Sequence, residues 1–370
     1  MLKQGTGEPS SPLQFSPPAP PDESMRLRAR ARLDSLVKPP GSLGGLEDIA
    51  AQLAAITGEL FYEPDKRLLI IMAADNGVVA EGVSSAPKEV TASQTLNFTR
   101  GVTGAAVLAR QFGAELMVVD VGIDADIENP GIINKKIRKS TGNIAKEPAM
   151  TLSEAAAAVN VGIWSAGEAK RRGFKVIGAG EMGIGNTTTS SAVLCALLGL
   201  DAGATEQAVG RGAGLTDGQY ARKISVISSA LALHRPKQED PLDVISKVGG
   251  LDIAAMCGVY IGAALNRLPV VADGFISAVA ALCAVRLCPD ARGYIFPSHE
   301  SYERGYALAA RELEFDAPLK LGMRLGEGSG CPLMFALMDA AAAVIKNMAT
   351  FKEAMIDERY LENINGKKIF

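Results

Sequence analysis

The sequence predicts an α/β fold with a mostly parallel sheet. Two observations carry that expectation. Short apolar runs alternate with Ala-rich stretches of helical pattern along most of the chain. Polar, glycine-containing turns close those runs, as strand–loop–helix units require. "RLLIIMAADNG" (67–77) reads as a buried strand ending in such a turn, and "ELMVVDVGID" (115–124) repeats the form. "FKVIGAGEMGIGNTTTSSAVLCALLG" (174–199) reads as strand, glycine-rich loop and helix. "LPVVADGFISAVAALCAV" (268–285) reads as strand, Asp-Gly turn and helix. In sheets of this kind ligands gather beyond the carboxyl ends of the strands. Asp75, Asp120, Glu181 and Asp273 all fall at or just after those ends.

The two chain ends read differently. Residues 1–25 are rich in Pro and Ser and poor in aromatics, which predicts a flexible tail or an arm lying on another surface. Residues 26–65 read as helical, interrupted at "KPPGSLGGLE" (38–47). Residues 66–330 carry the strand–helix alternation, and 331–370 are helical in pattern. The helical segments at the two ends are expected to form one small lobe. The segment 73–98 after the first strand is read as a long polar loop that lines a pocket mouth.

The chain has 370 residues, 48% of them hydrophobic, enough for a sizeable core. Its net charge of -3 gives no pull toward nucleic acid or an anionic membrane. No apolar run reaches the ~20 residues of a membrane span. The start has no apolar signal-peptide core, so a cytoplasmic location is expected. The 5 cysteines show no CxxC spacing and read as buried free thiols. With 2 histidines, His234 and His299, no zinc site is expected.

Several motifs carry chemistry. In "GAGEMGIGNTTTSSAV" (178–193), Gly183 and Gly185 let backbone approach a ligand, and Asn186 with the Thr run opens a helix. That is a phosphate seat, or a tight turn with a Thr cap. Glu181 beside it suits a ribose hydroxyl or a substrate cation better than a phosphate. "VGRGAGLTDGQYARK" (209–223) is a turn between helices, or a loop that brings Lys223 to a phosphate. "PSHESYERGY" (297–306) offers Ser298 and Ser301 without the context of a serine nucleophile. In "RLGEGSGCPL" (324–333), Glu327 stands between two glycines with no local partner. It is a solvated loop carboxylate or an acid held beside a substrate.

Eight stretches, in order from about residue 30 to 345, resemble one family. They are "KPPGSLGGLE", "ADNGVVAEGVSSAPKEVT", "GEMGIGNTTTSSAV", "GRGAGLTDGQYARK", "GGLDIAAMCGVYIGAA", "PVVADGFISAVAALCA", "SHESYERG" and "LGMRLGEGSGCPLMFALMDAA". The family is that of nicotinate-nucleotide:dimethylbenzimidazole phosphoribosyltransferases, which activate the lower-ligand base of cobamides. The resemblance implies a Rossmann-like sheet, a helical lobe from both termini and a dimer, either of like subunits or with a paralogue. It implies nicotinate mononucleotide and an aromatic base as substrates, with no cofactor. It implies Glu327 as general base. Glu181, Gly183, Gly185, Asn186, Lys223, Ser298 and Ser301 would hold ribose and phosphate. Asn76, Ser84, Ala86, Ser93, Gln94 and Leu325 would line the acceptor pocket.

The chain departs from the family pattern in the loop expected to face the acceptor. Asn76 stands where the family usually has His, and Ala86 where it usually has an aromatic. Ala92-Ser93-Gln94 replaces the usual order after Glu-Val-Thr. Tyr302 and Tyr306 also depart. These changes lead to the expectation of an unchanged donor and a broader acceptor choice that includes phenols. A silent, nucleotide-holding subunit is the competing expectation, and retention of Glu327 argues against it.

Overall fold

The computed structural model describes residues 13–200, 203–212 and 214–357. The strands are β1 (Arg67–Ala74), β2 (Ala114–Gly122), β3 (Ile132–Asn134), β4 (Val176–Met182), β5 (Val270–Ala272) and β6 (Ile295–Pro297). They form one parallel sheet of order β3-β2-β1-β4-β5-β6. Helices α1 (Glu23–Asp34) and α2 (Gly45–Thr57) precede the sheet. Between β1 and β2 lie α3 (Val90–Arg100) and α4 (Gly104–Gln111), and between β3 and β4 lies α5 (Leu152–Arg171). Between β4 and β5 lie α6 (Asn186–Leu198), α7 (Thr205–Ala208), α8 (Asp217–His234), α9 (Pro241–Val248) and α10 (Leu251–Leu265). α11 (Phe275–Leu287) connects β5 to β6, and α12 (Gly305–Glu312) and α13 (Cys331–Asn347) follow.

The strand order explains the sequence of β1. It runs between β2 and β4 and is covered on both faces, so "RLLIIMAA" is a continuous apolar run without alternation. The order reverses between β1 and β4, because β1 connects outward to β2 on one side and β4 connects outward to β5 on the other. A crevice opens at that reversal, beyond Ala74 and Met182. β4 itself carries Gly178 and Gly180 on one face. A Cβ at Gly178 would meet Cys331 at 2.6 Å, and one at Gly180 would meet the Glu327 carbonyl at 2.7 Å. The start of α13 and the loop before it therefore rest directly on β4.

On the layer formed by α5 and α10, two backbones touch. A Cβ at Gly162 would lie 1.9 Å from the Ala255 carbonyl, and one at Gly258 would lie 1.9 Å from that of Val159. α10 is buried from Leu251 through Ala264, which explains a composition that is apolar throughout except for Asp252.

The helical segments nearest the two chain ends meet on the sheet. α1, α2 and α13 pack together, and α13 also packs on β1, β4 and β5. The Arg32 guanidinium donates to the carbonyls of Ile345 and Met348. Residues 1–12 of the expected tail lie outside the described residues. Residues 13–22 lie against the body: Leu13 is buried, Tyr294 Oη donates to Ala19, and α1 begins at Glu23 with Asp22 as its cap.

The segment 73–98 is not the continuous polar loop its composition suggests. A 3₁₀ turn covers Gly77–Glu81, and Val90 onward is the helix α3. Its buried face is Thr91, Thr95 and Phe98, spaced as one helical stripe but too polar to read as core. Thr91 Oγ1 accepts the Ile184 amide, which ties α3 to the β4–α6 loop. Among the described residues, no helix is long and apolar enough to cross a membrane.

Candidate active site

The crevice holds a cavity of about 320 Å³. Six segments wall it: 83–94, the β4–α6 turn 180–187, Arg211, Gly212 and Leu215 before α8, the β5–α11 turn 273–277, residues 299–303, and residues 324–327.

Glu327 sits at its floor. The residue is buried and takes the left-handed conformation (φ 62°), between Gly326 (φ 82°) and Gly328 (φ 77°). Its Oε1 accepts the Gln94 amide at 2.6 Å, and its Oε2 accepts the Ala105 N–H at 3.1 Å. Ala105 belongs to the first turn of α4, where unpaired amides favour an anion. Glu327 is therefore a held acid, not a solvated one, and its partners lie far away in sequence.

Three further carboxylates are buried around it. Glu181, at the end of β4, accepts the Glu327 N–H with Oε1 at 3.2 Å. Asn186 Nδ2 donates both to Glu181 Oε2 and, at 2.9 Å, to Asp252 Oδ2. Asp273 accepts the Gly328 and Gly330 amides at 3.1 and 2.6 Å. Burial pushes all three acids up, Glu181 to about 8, Asp252 to about 6 and Asp273 to about 7. The Asp252 charge adds to the rise at Glu181, and the Glu327 charge adds to that at Asp273. Among the described residues, no lysine or arginine makes an ion pair with any of the four. His299 Nδ1 lies 3.7 Å from Asp273 Oδ1, and burial lowers that imidazole to about 4, so it is neutral near pH 7. The floor of the cavity is lined by carboxyl groups without a built-in counter-charge, and burial favours their neutral forms. Among the described residues, no cluster of His, Cys, Asp and Glu has the form of a metal site.

Arginines, hydroxyls and one further acid stand at the other walls. Arg211, Thr187, Gly212, Ser301, Glu303 and Arg324 line them, and the N-terminus of α6 opens there. Lys223 is fully buried one layer behind. Its Nζ donates to Thr187 Oγ1 at 2.9 Å and to the Gly210 carbonyl at 3.0 Å.

Most of the residues singled out in the sequence come together here. Glu181, Gly183, Gly185, Asn186, Ser301, Ser84, Ala86, Gln94, Leu325 and Glu327 all line the cavity. Four others stand behind its lining. Lys223 reaches it through Thr187. Ser298 is buried and donates to the Asp273 carbonyl. Asn76 accepts from Thr189 and lies against Gly185. Ser93 turns its hydroxyl back on the Glu89 carbonyl of its own helix. Of the strand-end acids, Asp75 and Asp120 are not lining residues. Asp75 accepts the Asp124 amide, and Asp120 accepts those of Gly122 and Ile123 and pairs with Lys136.

Sequence reading missed Asp252, Glu303 and Arg324. For Asp252 a signal was present: a lone acid in a helix otherwise without charge is rarely buried unless it has a partner. Arg324 and Glu303 carry no such mark, since charged loop residues are ordinarily solvated.

A family model described as phosphoribosyltransferase (DBI_PRT) matches residues 19–356. The nicotinate-nucleotide–dimethylbenzimidazole phosphoribosyltransferase of Clostridium perfringens is 52% identical over 349 residues, covering 94% of this chain and 96% of that protein. That of Ruminiclostridium cellulolyticum is 53% identical over 336 residues, covering 91% and 94%. The crystal structure of CobT from Thermus thermophilus superposes with a TM-score of 0.86 at 39% identity, over 90% of this chain and 99% of that one. With the cavity at the strand-order reversal and the match running through nearly all of the described residues, the chain belongs to the nicotinate-nucleotide–dimethylbenzimidazole phosphoribosyltransferase family.

Proposed function

We propose that this enzyme moves the phosphoribosyl group of nicotinate mononucleotide to a benzimidazole-type base, with Glu327 as general base. The observation that carries the reading is the buried Glu327 carboxylate, held by Gln94 and Ala105 in a cavity floored by acids without a cationic partner. In the donor the glycosidic nitrogen is a pyridinium. Its bond to C1′ breaks with the electron pair returning to the ring, so nicotinate departs without an acid. C1′ becomes oxocarbenium-like, and the floor carboxyl groups, which a bound cation favours in their ionised form, stabilise that charge. The unprotonated ring nitrogen of the azole forms the new bond to C1′ from the opposite face, and the proton on the other ring nitrogen passes to Glu327. Attack from that face turns a β-linked donor into an α-riboside 5′-phosphate. Thr187, Gly212, Ser301 and Arg211 offer the phosphate its contacts, and the α6 N-terminus adds its dipole.

Incubation of the purified chain with nicotinate mononucleotide and dimethylbenzimidazole is expected to yield nicotinate and the riboside phosphate, identified by mass spectrometry. Glu327→Gln keeps the shape of the residue and is expected to cost ~10² to 10⁴ in turnover while nucleotide binding persists. Turnover within tenfold of wild type removes Glu327 from the role.

A phenolic acceptor is a second reading, and it rests on Ala86. That residue lines the cavity with a methyl group where the family resemblance calls for an aromatic ring. Asn76 and Ser93 give it no support, because both stand behind the lining. Equal concentrations of phenol and dimethylbenzimidazole in one reaction decide between them. Absence of a phenyl riboside ends the phenolic reading.

A further inference from the structure

We infer that Asp273 is a positioning residue for this transfer, acting as the clamp that fixes the loop from which Glu327 faces the cavity. The inference rests on the reading of Glu327 as the base.

Glu327 holds a left-handed conformation with a side chain attached. Such a conformation persists where the surroundings over-determine it. The amide donors of the loop show what does so. The Glu327 N–H goes to Glu181. Those of Ser329 and Cys331 close turns onto the Gly326 and Gly328 carbonyls. The remaining two, of Gly328 and Gly330, go to the two oxygens of Asp273. One carboxylate thus grips the loop on the C-terminal side of Glu327 and at the entry to α13. Both Asp273 oxygens are engaged by backbone donors, so this residue is not poised to take a substrate proton.

Asp273 is itself immobilised. Its own N–H donates to Ser277 Oγ at 3.1 Å, and its carbonyl accepts Ser298 Oγ at 3.0 Å. Ser277 in turn donates to the Ala179 carbonyl in β4. The clamp is therefore anchored to β4 and to the segment after β6. Gly330 is small for the same reason. A Cβ there would meet His299 Nδ1 at 2.4 Å, Ser298 Oγ at 2.5 Å and Asp273 Oδ1 at 2.8 Å. Buried Ser298, which stands behind the cavity lining, gains a role as a brace for the clamp.

An ionised Asp273 accepts from both amides, whereas a protonated one has an O–H in place of a free acceptor. The titratable groups that face it are Glu327 on the loop, Glu181 on β4, Cys331 at the start of α13, Tyr260 on α10, Tyr306 on α12 and His299 after β6. Burial pushes Asp273 up to about 7, so the clamp is weakened as pH falls through that value.

The test compares wild type, Asp273→Asn, Glu327→Gln and the double variant, with nicotinate mononucleotide and dimethylbenzimidazole. Initial rates are taken from about pH 5.5 to about pH 8.5. Asp273→Asn keeps the size of the side chain but offers one acceptor and no titration. It is expected to lose kcat by about 10²-fold, the effect of a catalytic group misplaced by about 1 Å. KM for both substrates stays within about threefold, and the acid limb of the kcat profile shifts. The double variant is expected to be no slower than Glu327→Gln, because a clamp that acts through Glu327 has nothing left to position. A kcat within threefold of wild type overturns the inference. So does a multiplicative loss in the double variant, or a loss confined to KM. If Asp273→Asn does not fold, Gly330→Ala pushes the amide from Asp273 Oδ1 while keeping the carboxylate, and the same pattern is expected of it. A folded wild type that makes no riboside refutes the proposed reaction and this role with it, whereas an active wild type without the pattern refutes this role alone.

Discussion

Lys223 is buried, and its hydrogen-bond partners, Thr187 Oγ1 and the Gly210 carbonyl, are neutral. Burial pushes its ammonium down to about 8, and the nearby Glu303 charge opposes the fall. Thr187 and Gly212 line the cavity directly in front of it. The lysine thus places a positive charge behind the wall that the donor phosphate is proposed to touch. As pH rises through about 8 that charge is lost. KM for the nucleotide is expected to climb over the same range. Lys223→Met is expected to show a raised KM, by about tenfold or more, with that limb absent, since a charge-assisted contact is worth ~1.5–3 kcal/mol. A KM for the folded variant equal to that of wild type at pH 7 places Lys223 outside phosphate binding. At the same scale, Gln94 and Ala105 show why Glu327 could not be judged from its neighbours in sequence. Its partners come from α3 and α4, more than two hundred positions upstream.

The turn between α1 and α2 has its own buried ion pair. Lys38 Nζ lies 2.8 Å from Glu47 Oε1, both side chains nearly inaccessible, and the same oxygen accepts the Leu43 amide. This explains the spacing of "KPPGSLGGLE": the charges at its ends meet across a glycine turn. Glu47→Leu leaves a buried ammonium unpaired and is expected to cost about 3–5 kcal/mol in urea unfolding. Adding Lys38→Met removes the stranded charge and is expected to restore most of that loss. A single-variant cost under about 1 kcal/mol would show that the pair is solvated. Other elements were legible to different degrees. β1, β2, β4 and β5 were marked by apolar runs ending in polar turns. β3 and β6 were not, because three residues at a sheet edge carry no period. α3 was masked by its polar buried face. The glycine-rich turn after β4 and the Glu327 loop could be read as ligand-facing, because glycines at close approach leave a composition signal. The layer behind them could not, since Ser298, Asn76 and Lys223 differ from lining residues only in the direction they face.

For the molecule as a whole, the acidic floor sets a pH dependence opposite to the usual one for carboxylates. Salt-bridged acids fall below their ordinary range on folding and stabilise the native state at neutral pH. Glu181 and Asp273 rise instead, to about 8 and about 7, through burial. In the unfolded chain both are ionised above about pH 5. Between that point and their folded values the native state therefore binds more protons than the unfolded one. Their contribution is fully present at low pH and is lost as pH rises through about 7 and about 8. His299 opposes this below about pH 6.5, because burial holds it neutral in the native state. Lys223 opposes it above about 8. From about pH 6.5 to about pH 7.5 neither interferes, and unfolding temperature is expected to fall as pH rises. Glu181→Gln removes one of the two titrations and is expected to make that slope shallower. A wild-type unfolding temperature that rises across this window would mean that the floor is ionised in the native state with little cost. The expected direction also ties stability to mechanism. The charge that stabilises an oxocarbenium-like ribose is the charge that the cavity by itself holds least comfortably, so binding a cationic ring relieves it. Nicotinate mononucleotide is accordingly expected to raise the unfolding temperature more at pH 7.5 than at pH 6.5.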